Sequence, residues 1–118
     1  MLYLTNAFSL NMLYEWRLSD PEAVTHVLIK PVADPAAFLT LVAEPVHGLT
    51  IKSIVGHKDV AALFAAALKR PVSVNRESVK LGENDILLVG QYIGPRLPAG
   101  TTELPVGAQL LWVCISIY

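Results

Sequence analysis

The chain has 118 residues, of which 53% are hydrophobic and 16% charged, and its formal net charge is −1. This length and hydrophobic content support one compact domain over residues 1–118 and leave no room for a second. The weak net charge excludes the broad basic surface that binds long DNA or RNA, so an anionic ligand would have to be small and held locally.

The first half of the chain predicts two strands and two helices. Residues 2–5 are expected to form a strand, and residues 11–16 a short helix that begins among polar side chains. Residues 23–30, AVTHVLIK, alternate and are β-branched, which predicts a second strand. A helix is predicted over residues 34–42, because Asp-Pro supplies an N-cap and a proline in the first turn.

The spacing of hydrophobic residues changes abruptly at Gly56, from that of a strand to that of a helix. A predicted strand over residues 49–55 ends there, and a buried helix is predicted over residues 59–69 with Asp59 as its cap. Two basic residues follow at its end, which matches the helix dipole, and Pro71 stops it.

The last part of the chain predicts three more strands. Residues 78–81 and 85–93 are expected to pair through a turn, residues 94–107 to form a loop rich in proline and glycine, and residues 110–117 to form the last buried strand. The predicted fold class is α/β, more closely α+β, with a mixed sheet of five or six strands flanked by two or three helices.

No membrane span or signal peptide is predicted. Every apolar run is interrupted well before the roughly 18 residues that a span needs. The opening MLYLTNAFSL has no basic region and soon meets a polar Thr-Asn pair, so we expect a cytoplasmic protein with no membrane partner. The single cysteine, Cys114, is predicted to be a buried, reduced thiol, which excludes a disulfide within one chain.

The segment Gly56-His57-Lys58-Asp59 is the first candidate for chemistry. It places a histidine and a lysine at a helix N-terminus, where unpaired backbone amides favour a phosphate group. Histidine, with an ordinary pKa near 6.5, can give a proton to a leaving oxygen near neutral pH. The alternative is that His57 is a structural residue at the start of the helix.

Other polar residues give weaker signals. His26 in a strand and His47 in a turn make no metal-ligand pattern with His57, so no metal or other cofactor is expected. Arg76 and Arg96 interrupt apolar or loop sequence, and a guanidinium can clamp a phosphate or stack on a base. Each arginine could equally be a solvated surface residue, and Gln91 is as ambiguous.

Four motifs in order, YLTNAFSLNML, SIVGHKD, VNRESVKL and GQYIGPRLPAG, resemble a family of small proteins from archaeal viruses, phages and bacterial mobile elements, the viral anti-CRISPR ring nucleases. The resemblance covers most of the chain. It implies a homodimer that binds cyclic tetra-adenylate, the second messenger of type III CRISPR systems, on its two-fold axis.

The resemblance also implies roles for individual residues. His57 would be the general acid of a metal-independent cleavage, in which a ribose 2′-hydroxyl attacks its own phosphodiester and linear di-adenylate is released. The substrate-binding residues that the motifs and the helix start together suggest are Asn6, Ser9, Asn11, Gly56, Lys58, Arg76, Gln91 and Arg96.

One departure concerns the arginine loop, where several relatives have R-L-E-E-G and this chain has Arg96-Leu97-Pro98-Ala99-Gly100. If the missing glutamate assists the histidine or the nucleophile, turnover is slower here. This departure leaves open a non-catalytic sponge or sensor for a cyclic oligo-adenylate. A second alternative is a structural dimerisation unit that pairs through LLWVCISIY.

Overall fold

A mixed sheet of five strands forms the body of the protein in the computed structural model, which describes residues 1–13, 20–22, 24–43 and 48–117. The elements are, in chain order, β1 (Leu2–Thr5), a short 3₁₀ helix (Leu10–Met12), β2 (Val27–Pro31), α1 (Pro35–Ala43), β3 (Ile51–Ser53), α2 (Lys58–Leu68), β4 (Ile86–Ile93) and β5 (Gln109–Ile117). The predicted α+β fold class is confirmed.

The strand order, β2-β5-β4-β1-β3, places three strand ends at one edge of the sheet. Strand β1 is parallel to both β3 and β4, whereas β5 is antiparallel to β4 and β2. The carboxyl ends of β1, β3 and β4 therefore meet at the edge where β5 begins. Ligands of sheets with parallel strands commonly bind at such an edge.

Two hydrophobic clusters occupy opposite faces of the sheet. On the helix face, Phe64 of α2 is fully buried and its ring centroid lies 4.7 Å from that of Trp112 in β5. Leu39 of α1 belongs to the same cluster. On the other face, Leu13 and Leu81 are buried among strand residues, so irregular segments cover this side. The predicted burial of α2 is thereby explained by its position across the sheet.

Three predicted strands change in extent or disappear. Residues 78–81 form no strand; Leu81 is buried, and its backbone amide donates to the carbonyl of Met12 at 2.7 Å, but the segment pairs with no described strand. Strand β2 begins at Val27, which pairs with Ile117, where its partner β5 ends. Strand β3 stops at Ser53. The hydroxyl of Ser53 accepts a hydrogen bond from the backbone amide of Val55, and the chain turns there.

Some predictions fall on residues that the structure does not describe. The helix expected over residues 11–16 is a 3₁₀ turn over Leu10–Met12, and residues 14–16 are not described. The turn predicted at His47 also lies outside the described residues. Among the helices described, none is long and apolar enough to cross a membrane.

Cys114 is half-buried on β5. Burial raises the pKa of its thiol, and the nearby charge of Lys30 opposes that shift in part. The reactive thiolate is therefore disfavoured. The thiol was predicted to be buried, and the structure leaves it half-buried.

Candidate functional site

A cleft of about 750 Å³ lies where the N-terminus of α2 faces the loop after β4. Its walls combine titratable, cationic and apolar side chains with loop backbone. The residues that line it are His57, Asp59, Val60, Tyr92, Gly94, Arg96, Leu97, Pro98 and Ala99. The parallel strands thus bring two of the predicted residues, His57 and Arg96, to one site although they are far apart in the sequence.

His57 is the N-cap of α2. Its Nδ1 accepts a hydrogen bond from the backbone amide of Asp59 at 3.2 Å, and its carbonyl accepts from Ala61 at 3.0 Å. The cap was predicted at Asp59, and that was wrong: a histidine in extended conformation caps the helix, and Asp59 is the second helical residue. Because Nδ1 accepts, the proton of the neutral ring is on Nε2.

Gly56 allows Arg76 to lie against the backbone next to His57, although neither Gly56 nor Arg76 is among the residues that line the cleft. Arg76 Nε donates to the carbonyl oxygen of Gly56 at 2.9 Å. A Cβ at Gly56 would lie 2.7 Å from Cγ of Arg76, so a side chain there would displace the arginine. The glycine and the arginine that were predicted separately therefore form one contact.

The segment that carries Arg76 is bound to the end of β3. Asn75 donates its backbone amide to Val55 at 2.8 Å and its side-chain amide to the carbonyl of Ser53 at 2.9 Å. Next to Arg76, Glu77 pairs with Lys52 at 2.8 Å. The hydrogen bonds from Lys52 and then from Asn75 lower the pKa of the Glu77 carboxyl. The bonds of Asn75 hold the backbone before Arg76, and the side chain of Glu77 adds an exposed ion pair after it.

The loop after β4 presents Arg96 to the cleft. The hydroxyl of Tyr92 donates to the carbonyl of Pro95, which ties the loop to its own strand. A Cβ at Gly94 would lie 2.6 Å from that of Ala108, so the loop packs closely against the start of β5. Ala99 lines the same cleft, and its methyl group supplies no carboxylate there.

Two of the predicted polar residues line a different cavity. Ser9 and Asn11 lie on a pocket of about 300 Å³, together with Met12, Glu77, Ser78, Val79 and Lys80. The hydroxyl of Ser9 caps the 3₁₀ turn by accepting from the amide of Asn11 at 3.2 Å, and Lys80 donates to the carbonyl of Asn11. These residues are separate from those that line the cleft of His57.

The remaining predicted residues lie on the surface outside both cavities. Asn6 and Lys58 are exposed, the first after β1 and the second in the first turn of α2. Gln91 is also exposed; since side chains alternate along a strand and Tyr92 lines the cleft, Gln91 points to the opposite face of the sheet.

Among the polar residues of the cleft, the sequence did not single out Tyr92, and it assigned Asp59 only the role of a helix cap. Tyr92 could have been found from its position at the end of a strand beside the arginine loop. Asp59 was assigned a capping role that hid its position on the wall. No group of three or more potential ligands among the described histidine, cysteine and acidic residues could hold a metal ion.

The fold and the site define a small α+β protein with a histidine–arginine cleft at the edge where its parallel strands end. The chain belongs to the STIV B116-like family, whose sequence pattern matches residues 2–105. Among solved structures it is similar to B116 of Sulfolobus turreted icosahedral virus, with 26% identity and a TM-score of 0.72 over 98% of this chain and 97% of that one. No curated protein matches the chain.

Proposed function

We propose that this protein is a metal-independent ring nuclease that binds cyclic tetra-adenylate at a homodimer interface and cleaves it to linear di-adenylate. Its role would be to switch off type III CRISPR signalling. The observation that carries the proposal is that His57 and Arg96 share one cleft, with Arg76 bound to the carbonyl beside His57. Membership of a family named after a viral protein supports a role in the conflict between virus and host.

The reaction is an internal transesterification. A ribose 2′-oxygen forms a bond to the adjacent phosphorus, and the bond from phosphorus to the 5′-oxygen breaks. The leaving oxygen takes a proton from Nε2 of His57, and the product carries a 2′,3′-cyclic phosphate. Two such sites in a dimer would cut the ring twice and give linear di-adenylate.

Negative charge on the phosphoryl oxygens would be stabilised from two sides. The guanidinium groups of Arg76 and Arg96 can donate paired hydrogen bonds to phosphate oxygens. By their position in the first turn of α2, the amides of Lys58 and Val60 have no acceptor within the helix. They carry the positive end of the helix dipole toward an anion.

His57 has two roles that compete for Nδ1. As an acid, the ring must carry a proton on both nitrogens, and Nδ1 can then no longer accept from the Asp59 amide. Protonation therefore releases the cap, and proton transfer to the leaving group allows it to form again. Asparagine can cap a helix but has no acidic proton, so His57→Asn separates the two roles.

The test is to incubate the wild type, His57→Asn and His57→Ala with cyclic tetra-adenylate in excess EDTA and to identify the products by mass spectrometry. We expect the wild type to give di-adenylate with a cyclic phosphate and both variants to lose about 10²–10⁴-fold in rate. In urea unfolding, only His57→Ala should lose about 1 kcal/mol of stability, since His57→Asn keeps the cap. An active His57→Asn enzyme would contradict the assignment.

The proposed dimer is supported by the division of the candidate residues between two cavities and by the size of the cleft relative to the ring. The cleft of about 750 Å³ is in the range for one drug-sized ligand, whereas the ring contains four nucleotides. A second copy, related by a two-fold axis, would offer the same residues to the other half of the ring.

A second candidate function, a sponge that binds the ring without cutting it, is favoured by one observation. Ala99 stands on the cleft wall, at a position where the resemblance to the ring nucleases implies a glutamate. In the same experiment, intact ring that co-elutes with the wild type would favour the sponge over the nuclease.

A further inference from the structure

The carboxylate of Asp59 is the least expected group among the buried side chains. Thr5 and Asp59 are the buried polar residues of the described chain, with 3% and 8% of their surface exposed. The hydroxyl of Thr5 bonds to the backbone of Ala7. The carboxylate of Asp59, by contrast, has no hydrogen-bond donor or cation as partner among the described residues.

Burial of this carboxylate costs free energy, which the local structure offsets only in part. A buried carboxylate without a partner loses its hydration and gains no hydrogen bond in return. The N-terminal end of α2 favours a negative charge, but an exposed acidic side chain would gain from the helix dipole without losing its water. A buried polar group that lacks a partner calls for an explanation from a ligand or from function.

The position of Asp59 supplies that explanation. Asp59 lines the same cleft as His57 and Arg96, and its backbone amide donates to Nδ1 of His57 at 3.2 Å. The carboxylate and the imidazole thus stand on the first turn of one helix, beside the site proposed for the phosphodiester. A bound ligand would be the hydrogen-bond donor that the carboxylate lacks.

We propose that Asp59 is a catalytic base that accepts the proton of the attacking 2′-hydroxyl; this inference rests on the proposed ring cleavage. Arg96 carries only donors, and Tyr92 donates its hydroxyl proton to Pro95, so neither serves as the base. Among the described residues of the cleft wall, Asp59 is the carboxylate available for this role.

The proton and bond changes balance in one step. The 2′-hydroxyl proton passes to an Asp59 oxygen as the bond from the 2′-oxygen to phosphorus forms. The bond to the 5′-oxygen breaks, and that oxygen takes a proton from His57. Asp59 then returns its proton to water, and His57 takes one from water before the next turnover.

The test compares Asp59→Asn with the wild type on cyclic tetra-adenylate, measuring kcat and KM across pH. We expect kcat to fall about 10²–10⁴-fold with little change in KM. The groups facing Asp59 in the cleft are His57, Tyr92 and Arg96. Loss of activity at low pH reports protonation of the base, so Asp59→Asn should lose this limb and keep the alkaline limb set by His57. A merely structural role would leave both limbs in place.

The control is the same substitution at another helix start. Asp34 caps α1 by accepting from the amide of Ala37 at 3.0 Å and lies outside the cleft, so Asp34→Asn should keep wild-type activity. Should Asp59→Asn fail to fold by circular dichroism, Asp59→Ser provides the second variant, because serine also suits the first turn of a helix.

The outcomes separate this inference from the proposed function. Cleavage that is lost in His57→Asn but retained within about tenfold in the Asp59 variants would overturn the role of Asp59 alone. A wild type that leaves the ring intact would overturn the proposed function and the base together. Loss of kcat with loss of the acidic limb supports both.

Discussion

At the scale of single residues, the contact between Gly56 and Arg76 couples the backbone beside the histidine to a cation. Alanine at position 56 would bring its Cβ to 2.7 Å from Cγ of Arg76, so the arginine must leave the carbonyl to which it donates. We expect Gly56→Ala to destabilise the protein by about 1–2 kcal/mol and to weaken binding of the ring. In an Arg76→Ala background the same substitution should be nearly neutral.

The measurement is a double-mutant cycle by urea unfolding of the wild type, both single variants and the double variant. The effect of the new methyl group on the unfolded chain cancels between the two backgrounds. A coupling of about 1 kcal/mol is expected for residues in direct contact. Equal costs of Gly56→Ala in both backgrounds would show that Arg76 is not held in this way.

At this scale the sequence predicted the position of His57 at the start of a helix better than the bonds that it makes there. His57 was recognised because Gly-His-Lys precedes a helix, a pattern that depends on neighbours in the chain. The cap was assigned to Asp59 because aspartate commonly begins helices, and only the ring geometry shows that Nδ1 of His57 takes that place. Asp59 is 8% exposed, and its burial depends on how distant parts of the chain pack together, which no local pattern reports.

At the scale of elements, Gly90 sets how closely α2 approaches the sheet. A Cβ at this position would lie 2.6 Å from Trp112 Cζ3 and 2.7 Å from Phe64 Cζ. We therefore expect Gly90→Ala to cost about 1–3 kcal/mol by overpacking, measured by urea unfolding. The Trp112→Phe background removes the outer ring of the indole and should reduce that cost. A Gly90→Ala protein of wild-type stability would show that the helix can move away freely.

The elements themselves were largely predictable, and the exceptions have one cause. The bounds predicted for α2 and β4 agree with the structure to within a residue, because period, capping and proline signals are local. The strand predicted over residues 78–81 fails because a strand also needs a partner along its length. Polar and apolar residues alternate over residues 78–81, as they do in a strand. Leu81 is buried under the second face of the sheet, but its segment forms no ladder of backbone hydrogen bonds with a strand.

At the scale of the whole molecule, the division of candidate residues between two cavities is the feature that the sequence could not predict. Ser9 reaches its cavity beside Lys80, and His57 reaches the cleft beside Arg96, through contacts between distant parts of the chain. The resemblance to the ring nucleases implies that Ser9 and Asn11 act in the same site as His57 and Arg96. The chain holds them in two separate cavities, so the proposed function needs a second copy to bring them to one ligand.

If the ring bridges two protomers, ligand binding and dimer formation are linked. The inactive His57→Asn variant, mixed with cyclic tetra-adenylate, should show a larger dimer fraction by analytical ultracentrifugation than the variant alone. A ligand present at about 100 times its Kd stabilises the form that binds it by about 2.7 kcal/mol. Linear di-adenylate spans half of the ring and should have a much smaller effect. One ring bound to one monomer, with no change in the dimer fraction, would show that a single protomer holds the complete site.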